Sequence, residues 1–537
     1  MTKPISLGLD FGTESVRAIL VDNQGRQLGL ATSEFAHGQV TQSLPGSDAK
    51  LPARYALQSP GDWLDSASMA THSAIKEAGI APDHVVGIGV DFTSCTMLPT
   101  TEDGTPLCEL VAYQSVPLAW PKLWKHHGAI TQADKMNTIA KSRNEAFLNR
   151  YGGTIGLEWL FPKILETIEH APDVASAARV WLEAGDWFVW QLVGGDSSTL
   201  TRSTCQAGYK AMWSATDGYP SLEYFMAVDP RLAEVVTERL PGVMRSPGES
   251  AGGLCESMAK RLGLKPGTPV SAAIIDAHAA VPGVGAADPG TLVMVLGTSS
   301  CHMLNAVKGV EVSGIAGVVE GGILPGLFGY ETGQAAVGDA FDWLRRLTNL
   351  DSFDDLAEKS VALPPGAEGV ECLDWMNGCR TPLMDGGVRG VFTGLGLEHG
   401  PEHLYRALME ASAFGLRWIV ELLRDGGLTI DRFIATGGLP HHNRAIIEVY
   451  ADVLDASIEV HPSTQGPAVG AAVLGMIAAG ESASGFRTMA AAAEAMAGTR
   501  ASPSEVFRPR SDRKSTYDAI YRRYRTLAEN TASANTA

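Results

Sequence analysis

Several polar side chains lie between two apolar runs near the start of the chain, and their types suit the handling of a phosphate and its metal. The stretch LGLDFGTESVRAILVD, residues 7–22, predicts a strand, a tight turn and a second strand. Backbone N–H groups at such a turn form a concavity that binds anions, and the hydroxyl of Thr13 adds a donor. The carboxylate of Asp10 would hold Mg²⁺ directly or through water, because magnesium prefers oxygen ligands.

A second hairpin with a polar tip is predicted in the other half of the chain. The stretch GTLVMVLGTSSCHMLNA, residues 290–306, has the same pattern of strand, turn and strand. Its tip consists of Gly297, Thr298 and Ser299. Two such tips, one in each half, predict two phosphate loops that face each other across a cleft. A plain turn, with Gly12 and Gly297 as turn glycines, is the alternative for either tip taken alone.

Two further groups stand where strands are expected to end. Asp276 follows the apolar stretch PVSAAII and could act as a general base toward a substrate hydroxyl. A helix N-cap is the alternative role for this aspartate. The stretch ATGGLPHHN lets a flat ligand approach the backbone at Gly437 and Gly438, and its Asn443 could contact an adenosine. A strand–helix turn without a ligand is the alternative there.

Three more polar residues could line a pocket for a polyol. Ser94 lies just past the strand-like VVGIGVDF, Lys210 is an isolated cation in CQAGYKAMW, and Glu331 lies at a strand-to-helix junction in GYETGQAAVGD. Ordinary capping or surface roles are the alternative for each of them. The segment WKHH, with Trp124 and Lys125, is aromatic and basic, and it is either a further contact or a partly buried anchor.

The elements that must position these groups alternate between strands and helices. Such alternation predicts an α/β fold with sites at the strand ends. The expected elements are helices at 62–79, 176–194 and 402–425, strands at 85–92, 269–275 and 431–436, a loop at 439–443 and a frayed tail at 529–537. The segment ADPG, residues 287–290, is the expected hinge between two related halves.

Bulk composition narrows the classes of partner. The chain has 537 residues, too many for one core, so two or more domains are expected. Its formal charge of −18 argues against nucleic acid or an anionic membrane as a partner, because both recruit clustered Lys and Arg. Seven cysteines without a C-x-x-C pair indicate neither a disulfide scaffold nor a zinc ribbon. With no secretion signal and no run of about 18 apolar residues, the expected location is the cytoplasm.

Widespread catalytic motifs are absent from the sequence, with one exception. There is no G-x-x-x-x-G-K-[ST], no G-x-G-x-x-G and no H-E-x-x-H. GESAG, residues 248–252, fits the nucleophile elbow of serine hydrolases, with Ser250 as nucleophile. That elbow should follow a buried strand, whereas this one follows the turn-forming MRSP, so its context disagrees with a hydrolase.

The order of these parts resembles the FGGY family of carbohydrate kinases over nearly the whole chain. The two hairpin tips, the strand end at Asp276 and the Gly437–Asn443 turn occur in the family's order. GPAVGAA, residues 466–472, resembles the start of the family's C-terminal helix. GVDFTSCTMLP, AGYKAMW and DAHAAVPGVG resemble a branch of the family that acts on ketopentoses. Gln465 departs from the family, because many members have Glu at this place.

The resemblance implies an α/β, two-domain actin/hexokinase-like (ribonuclease H-like) ATPase fold with a central cleft between the domains. Residues 1–288 would bind the sugar and carry the first phosphate loop and the catalytic Asp, and residues 289–537 would bind the nucleotide. The implied reaction is the ATP- and Mg²⁺-dependent phosphorylation of a ketopentose, L-ribulose at its terminal O5, in L-arabinose breakdown. The alternatives are a kinase of another pentulose or polyol (D-ribulose, xylulose or ribitol) and a non-catalytic actin-like nucleotide sensor. A homodimer is left open.

The resemblance also distributes the candidate residues among roles. It implies Asp276 as the catalytic base and Asp10 at the metal. The residues implied at the sugar are Ser94, Lys210, Asp276 and Glu331. The residues implied at the nucleotide are Gly12, Thr13, Glu14, Gly297, Thr298, Ser299, Gly437, Gly438 and Asn443.

Overall fold

Two seven-stranded mixed sheets organise the chain, and a computed structural model describes residues 3–350, 352–499 and 502–535. Short two-stranded ribbons account for the remaining strands. The strands are β1 (Ile5–Phe11), β2 (Ser15–Asp22), β3 (Gln27–Glu34), β4 (Val85–Phe92), β5 (Met97–Thr100), β6 (Val180–Glu183), β7 (Thr201–Ser203), β8 (Val243–Arg245), β9 (Ser250–Gly253), β10 (Pro269–Ser271), β11 (Ile274–Ile275), β12 (Thr291–Leu296), β13 (Ser300–Ala306), β14 (Gly317–Glu320), β15 (Phe328–Gln334), β16 (Glu371–Leu373), β17 (Val391–Thr393), β18 (Arg432–Thr436), β19 (Ile458–Val460) and β20 (Glu505–Phe507).

Helices connect these strands and cover the sheets. They are α1 (Pro60–Ala78), α2 (Ile130–Ser142), α3 (Leu160–His170), α4 (Pro172–Ala177), α5 (Ala184–Val193), α6 (Thr204–Lys210), α7 (Leu222–Val228), α8 (Pro230–Glu238), α9 (Glu256–Leu262), α10 (Asp276–Gly283), α11 (Gly338–Leu347), α12 (Asp354–Ala362), α13 (Pro401–Asp425), α14 (Leu439–His442), α15 (Arg444–Leu454), α16 (Gly466–Ala478), α17 (Glu481–Ser484), α18 (Met489–Met496) and α19 (Lys514–Asn535).

The two large sheets repeat one topology. The first runs β3-β2-β1-β4-β10-β9, with β11 also paired to β4, and the second runs β15-β13-β12-β18-β19-β20, with β14 outside β15. In each sheet an antiparallel hairpin leads into parallel strands and ends on an antiparallel edge strand. The predicted similarity of the two hairpins is therefore confirmed, and it extends to the sheets around them.

Helix α16 joins the two halves, because it comes from the second half of the sequence but packs on β1 and β4 of the first sheet. Glycines allow the close approach. A Cβ at Gly89 would lie 1.7 Å from the carbonyl oxygen of Ala471, and one at Gly87 would lie 1.9 Å from that of Gly475. Helix α10 lies against α16 in the same way, since a Cβ at Gly283 would lie 1.9 Å from a helix carbonyl oxygen. The division into two domains at residue 288 stays a prediction. Helix α16 lies after residue 288 in the sequence but packs on the sheet formed before it.

The predicted helix at 176–194 is wrong in its first part. Helix α4 ends at Ala177, and Val180–Glu183 form β6, which pairs antiparallel with β5 before α5 begins. Every residue of β6 is buried. A short continuous apolar run has no periodicity that separates strand from helix, so the pairing with β5 decides its structure.

Two smaller predictions are also corrected. The predicted loop at 439–443 contains the one-turn helix α14, whose His441 and His442 N–H groups both bond the carbonyl of Gly438. The predicted frayed tail is helical through Asn535, because α19 is anchored upstream by buried tyrosines that contact Phe414. An anchored helix propagates at low cost. Residues 536 and 537 of that prediction lie outside the described residues.

Across the described ranges, none of the helices alone has the length and apolar character needed to cross a membrane. One bent pair, Gly466–Ala478 with Glu481–Met496, meets the criterion by length and composition, and its two parts meet at 117°. Most of α16 is buried against the first sheet and α10.

Candidate active site

A cavity of about 260 Å³ lies where the two hairpin tips face each other. It collects nine of the residues singled out from the sequence: Thr13, Ser94, Trp124, Lys210, Asp276, Gly297, Thr298, Ser299 and Glu331. Eight further residues of its wall are not among those predicted from the sequence: Thr93, Glu158, Ile275, Ala277, His278, Val295, Cys301 and Arg380. Residues from both halves of the chain therefore form one chamber.

A buried ion pair crosses this chamber. The Lys210 ammonium, at the end of α6, lies 3.0 Å from both carboxylate oxygens of Glu331 on β15. Burial opposes the ionisation of Glu331, but Lys210, His278 and Arg380 together outweigh it, and the pKa of the carboxyl falls well below its usual range. The His278 ring lies 3.4 Å from the same carboxylate. Because Lys210 and Glu331 belong to different halves, the pair holds the two walls of the cleft together.

Asp276 lies on the cavity wall, directly after β11 and as the first residue of α10. Its Oδ1 accepts the N–H of Ala277, in the first turn of α10, at 2.8 Å. Burial raises the pKa of Asp276 from 3.8 to about 7, and the nearby Asp10 and Glu331 charges add to the rise. A carboxylate that ionises near neutral pH is well matched to accepting a proton from a hydroxyl.

Asp10 and Asp91 lie side by side at the ends of the parallel strands β1 and β4. Arg17 donates to Asp10 at 2.8 Å, whereas no N–H or hydroxyl in the described residues donates to either buried oxygen of Asp91. Burial raises the pKa of Asp91 well above its usual range, and the Asp10 charge contributes. Carboxylate oxygens without a protein donor are ligands that Mg²⁺ accepts. From the sequence, Asp91 is predicted only as part of the strand at 85–92.

The two hairpin tips are tied by their own hydrogen bonds and by neighbours. In the first, Gly12 N–H donates to the Ser15 carbonyl at 3.0 Å, and the Trp124 indole donates to the Thr13 hydroxyl at 3.1 Å. In the second, Gly297 N–H donates to the Ser299 carbonyl at 3.0 Å. The start of α11 donates N–H groups to the carbonyls of this tip. Both tips are thus fixed turns, and the hydroxyls of Thr13 and Thr298 reach the cavity wall.

The remaining predicted residues are not on the wall of this cavity, namely Asp10, Gly12, Glu14, Gly437, Gly438 and Asn443. Gly437 has a positive φ of 96°, and a Cβ there would lie 2.4 Å from the carbonyl oxygen of Leu296, next to the second tip. Asn443 caps α15 and its Nδ2 donates to the Tyr405 hydroxyl at 2.9 Å. These structural roles account for Asn443, and its assignment to the nucleotide stays a prediction.

Arg380 and Glu158 add charge to the cavity, and neither residue is predicted from the sequence. The Arg380 guanidinium contacts the Cys301 sulfur at 3.5 Å. Burial acts to lower the pKa of Arg380, but Cys301, Glu331 and Glu158 together raise it. Both residues lie in irregular segments, where neither periodicity nor a motif marks a site.

The GESAG motif has no nucleophile elbow around it. Ser250 is exposed and is the first residue of the edge strand β9, which pairs antiparallel with β10. An elbow requires a sharp turn between a buried strand and a helix. The structure therefore removes the support for a hydrolase.

Comparison with known proteins gives consistent results. The model of the FGGY family of carbohydrate kinases, N-terminal domain, matches residues 5–283, and that of the C-terminal domain matches residues 292–479. A ribulokinase of Shouchella clausii is 44% identical over 538 residues, covering 98% of this chain and 95% of its own length. A ribulokinase of Halalkalibacterium halodurans is 43% identical over 540 residues, with the same coverage. The crystal structure of xylulose kinase from Rhodospirillum rubrum covers 99% of this chain with a TM-score of 0.82 at 22% identity, which shows the shared fold.

Proposed function

Because the chain belongs to the FGGY family of carbohydrate kinases, we propose that it transfers the γ-phosphoryl group of ATP to O5 of L-ribulose. The observation that carries this proposal is that Asp276, with a pKa of about 7, shares one cavity with the two turn tips and the Lys210–Glu331 pair. The relatives named ribulokinase, 43–44% identical over nearly the whole chain, support ribulose as the acceptor.

Asp276 is the proposed general base. Its carboxylate takes the O5 proton as O5 forms a bond to the γ-phosphorus and the bond from that phosphorus to the β–γ bridging oxygen breaks. Base catalysis of this kind contributes about 10²- to 10⁴-fold. The group needs only hydrogen-bond reach of the hydroxyl, which its position on the cavity wall supports.

The two turn tips are proposed to hold the phosphates. Phosphoryl transfer depends on positioning and on neutralising charge more than on covalent chemistry. Hydroxyls of Thr13 and Thr298 are available as donors from opposite halves. ATP enters as its magnesium complex, and the carboxylates of Asp10 and Asp91 are the proposed protein ligands, directly or through water. The described residues contain no group of three or more His, Cys, Asp or Glu arranged for a metal, so Asp10 and Asp91 would supply only part of the coordination shell.

The sugar hydroxyls are proposed to form hydrogen bonds with Ser94, Lys210 and Glu331. The ion pair offers both donors and acceptors in a buried setting. A sugar whose hydroxyls do not match leaves one of these groups unpaired, which costs about 1–3 kcal/mol per group. Discrimination between epimers is the expected consequence.

The test is ADP release in a coupled assay with Mg-ATP and a panel of acceptors. The panel contains L-ribulose, D-ribulose, L-xylulose, D-xylulose, ribitol and glycerol, each with and without enzyme. The highest kcat/KM on L-ribulose is the expected result. A clear preference for another sugar would overturn the assignment of L-ribulose as substrate but would still support a sugar kinase. No ADP release with any acceptor would overturn the proposed reaction.

A further inference from the structure

Lys163 is a fully buried lysine whose ammonium donates its hydrogen bonds only to backbone carbonyl oxygens. It lies on α3, and its Nζ donates to the carbonyls of Cys95 at 2.6 Å, Leu123 at 2.9 Å and Lys122 at 3.4 Å. An ammonium has three N–H donors, so these three acceptors satisfy it completely. Within the described residues, no carboxylate lies at ion-pair distance from it. Burial lowers the pKa of this lysine.

The carbonyls that Lys163 binds belong to two segments that form walls of the cavity. Cys95 follows Ser94, which lies on the cavity wall. Its backbone has a positive φ of 58°, a conformation that residues other than glycine rarely adopt. Leu123 precedes Trp124, whose indole donates to Thr13 in the first turn tip. The lysine therefore fixes the two segments at the points where they turn toward the cavity.

We propose that Lys163 is a positioning residue for the sugar, setting Ser94 and Trp124 relative to each other through the carbonyls next to them. This inference rests on the proposed function, because it assumes that the cavity binds the acceptor. A buried charge without a carboxylate partner is costly, and carbonyl dipoles offset that cost only when they are held at short distance. Removing the charge leaves the carbonyl of Cys95 without a donor among the described residues. The carbonyl of Leu123 still accepts the His126 N–H at 2.8 Å and that of Lys122 still accepts the Met97 N–H at 3.1 Å, so the segment of Cys95 loses most.

A second buried lysine provides a matched control. Lys122 is also fully buried, and its Nζ donates to the carbonyl of Leu118 at 2.9 Å rather than to that of Cys95. Burial lowers the pKa of Lys122 to about 8. Its replacement by methionine removes the same chemical group from the same region without touching the carbonyl of Cys95.

The experiment compares Lys163→Met, Lys163→Gln and Lys122→Met in the full chain. Steady-state kinetics would give the KM for L-ribulose, the KM for ATP and kcat, and thermal unfolding would report stability. For Lys163→Met we expect the sugar KM to rise about tenfold or more with the ATP KM changed less than about twofold. Lys163→Gln, which keeps one N–H₂ donor, should fall between it and the wild type. Lys122→Met should lose comparable stability with little change in the sugar KM.

Hydrogen–deuterium exchange of the ligand-free proteins supplies a readout that needs no turnover. We expect faster exchange at 93–97 and 122–125 in Lys163→Met, and near Leu118 in Lys122→Met. If Lys163→Met does not fold, Lys163→Gln carries the same comparison. Equal effects of the two lysines on the sugar KM, or unchanged exchange at 93–97, would overturn the inference. A wild type inactive on ribulose would instead overturn the proposed function, and the exchange experiment would still decide the role of Lys163.

Discussion

Replacing Asp276 by asparagine should abolish turnover and at the same time stabilise the fold above neutral pH. Asparagine has nearly the same shape but neither accepts the proton nor carries a charge. Loss of a general base is expected to lower kcat by about 10²- to 10⁴-fold, equivalent to roughly 3–5 kcal/mol in the barrier. In the wild type, kcat/KM should rise about fivefold from pH 6 to pH 7, because a group with a pKa of about 7 passes from roughly a tenth to a half ionised.

The stability effect follows from the difference between the folded and unfolded pKa values. Below pH 3.8 the Asp276 carboxyl is neutral in both states and has no effect on the free energy of unfolding. As pH rises from 3.8 to about 7, the unfolded chain ionises and the folded protein does not, so the wild type loses stability; above pH 7 the loss is constant. The full difference corresponds to about 4 kcal/mol. Because the carboxyl is partly exposed to the cleft, we expect about 2 kcal/mol.

The assay is thermal unfolding of wild type and Asp276→Asn at pH 5 and pH 8, in EDTA and without nucleotide or sugar. An advantage of about 2 kcal/mol predicts a thermal midpoint about 2 °C higher for the variant at pH 8, and a smaller gain at pH 5. Asp83→Asn, which changes an exposed carboxyl before β4, is the control and should show no such pH-dependent gain. A gain equal at both pH values, or none, would refute the burial argument, and retained kcat would refute the role of the base.

Three further predictions concern other parts of the molecule. Lys210→Met or Glu331→Gln leaves a buried charge unpaired and should lower the free energy of unfolding by about 3–5 kcal/mol in denaturant titrations. The double variant should regain most of that stability but should not bind the sugar. A double variant as unstable as the single variants would contradict this. Gly89→Ala places a methyl group 1.7 Å from a helix carbonyl oxygen and should cost at least about 3 kcal/mol, whereas Gly386→Ala, with no atom within 4 Å of its Cβ, should leave the thermal midpoint unchanged. Ser250→Ala should keep kcat/KM within about twofold, because Ser250 is exposed on an edge strand outside the cavity, and a large loss of phosphoryl transfer would argue against the placement of the site.

Local patterns in the sequence were enough to predict the hairpins, the strand β4 and the long helix α13. Those elements have strong alternation or helical periodicity, and Gly426 and Gly427 mark where α13 ends. The error at β6 has the opposite cause, since its four residues are all buried and become a strand only by pairing with β5 from a distant part of the chain. No local pattern carries information about that partner.

The site could be predicted to the extent that its residues follow strands. Ser94 and Asp276 stand at strand ends, where the sheet edge brings them to the cavity. Lys210 and Glu331 had no local pattern that distinguished them, and only the resemblance raised them above ordinary polar residues. Arg380 and the buried Lys163 act through tertiary contacts with segments far away in the sequence, so neither could be found without the fold.

The path of α16 has a consequence for how the protein is made on the ribosome. Strands β1 and β4 receive this helix on their glycine-lined face, yet α16 begins about 450 residues after β1 ends. At synthesis rates of about 5–20 residues per second, the first sheet waits on the order of half a minute for its cover. During that interval an apolar sheet face is open to other chains, and the first half of the nascent protein depends on protection from aggregation until its last helices emerge.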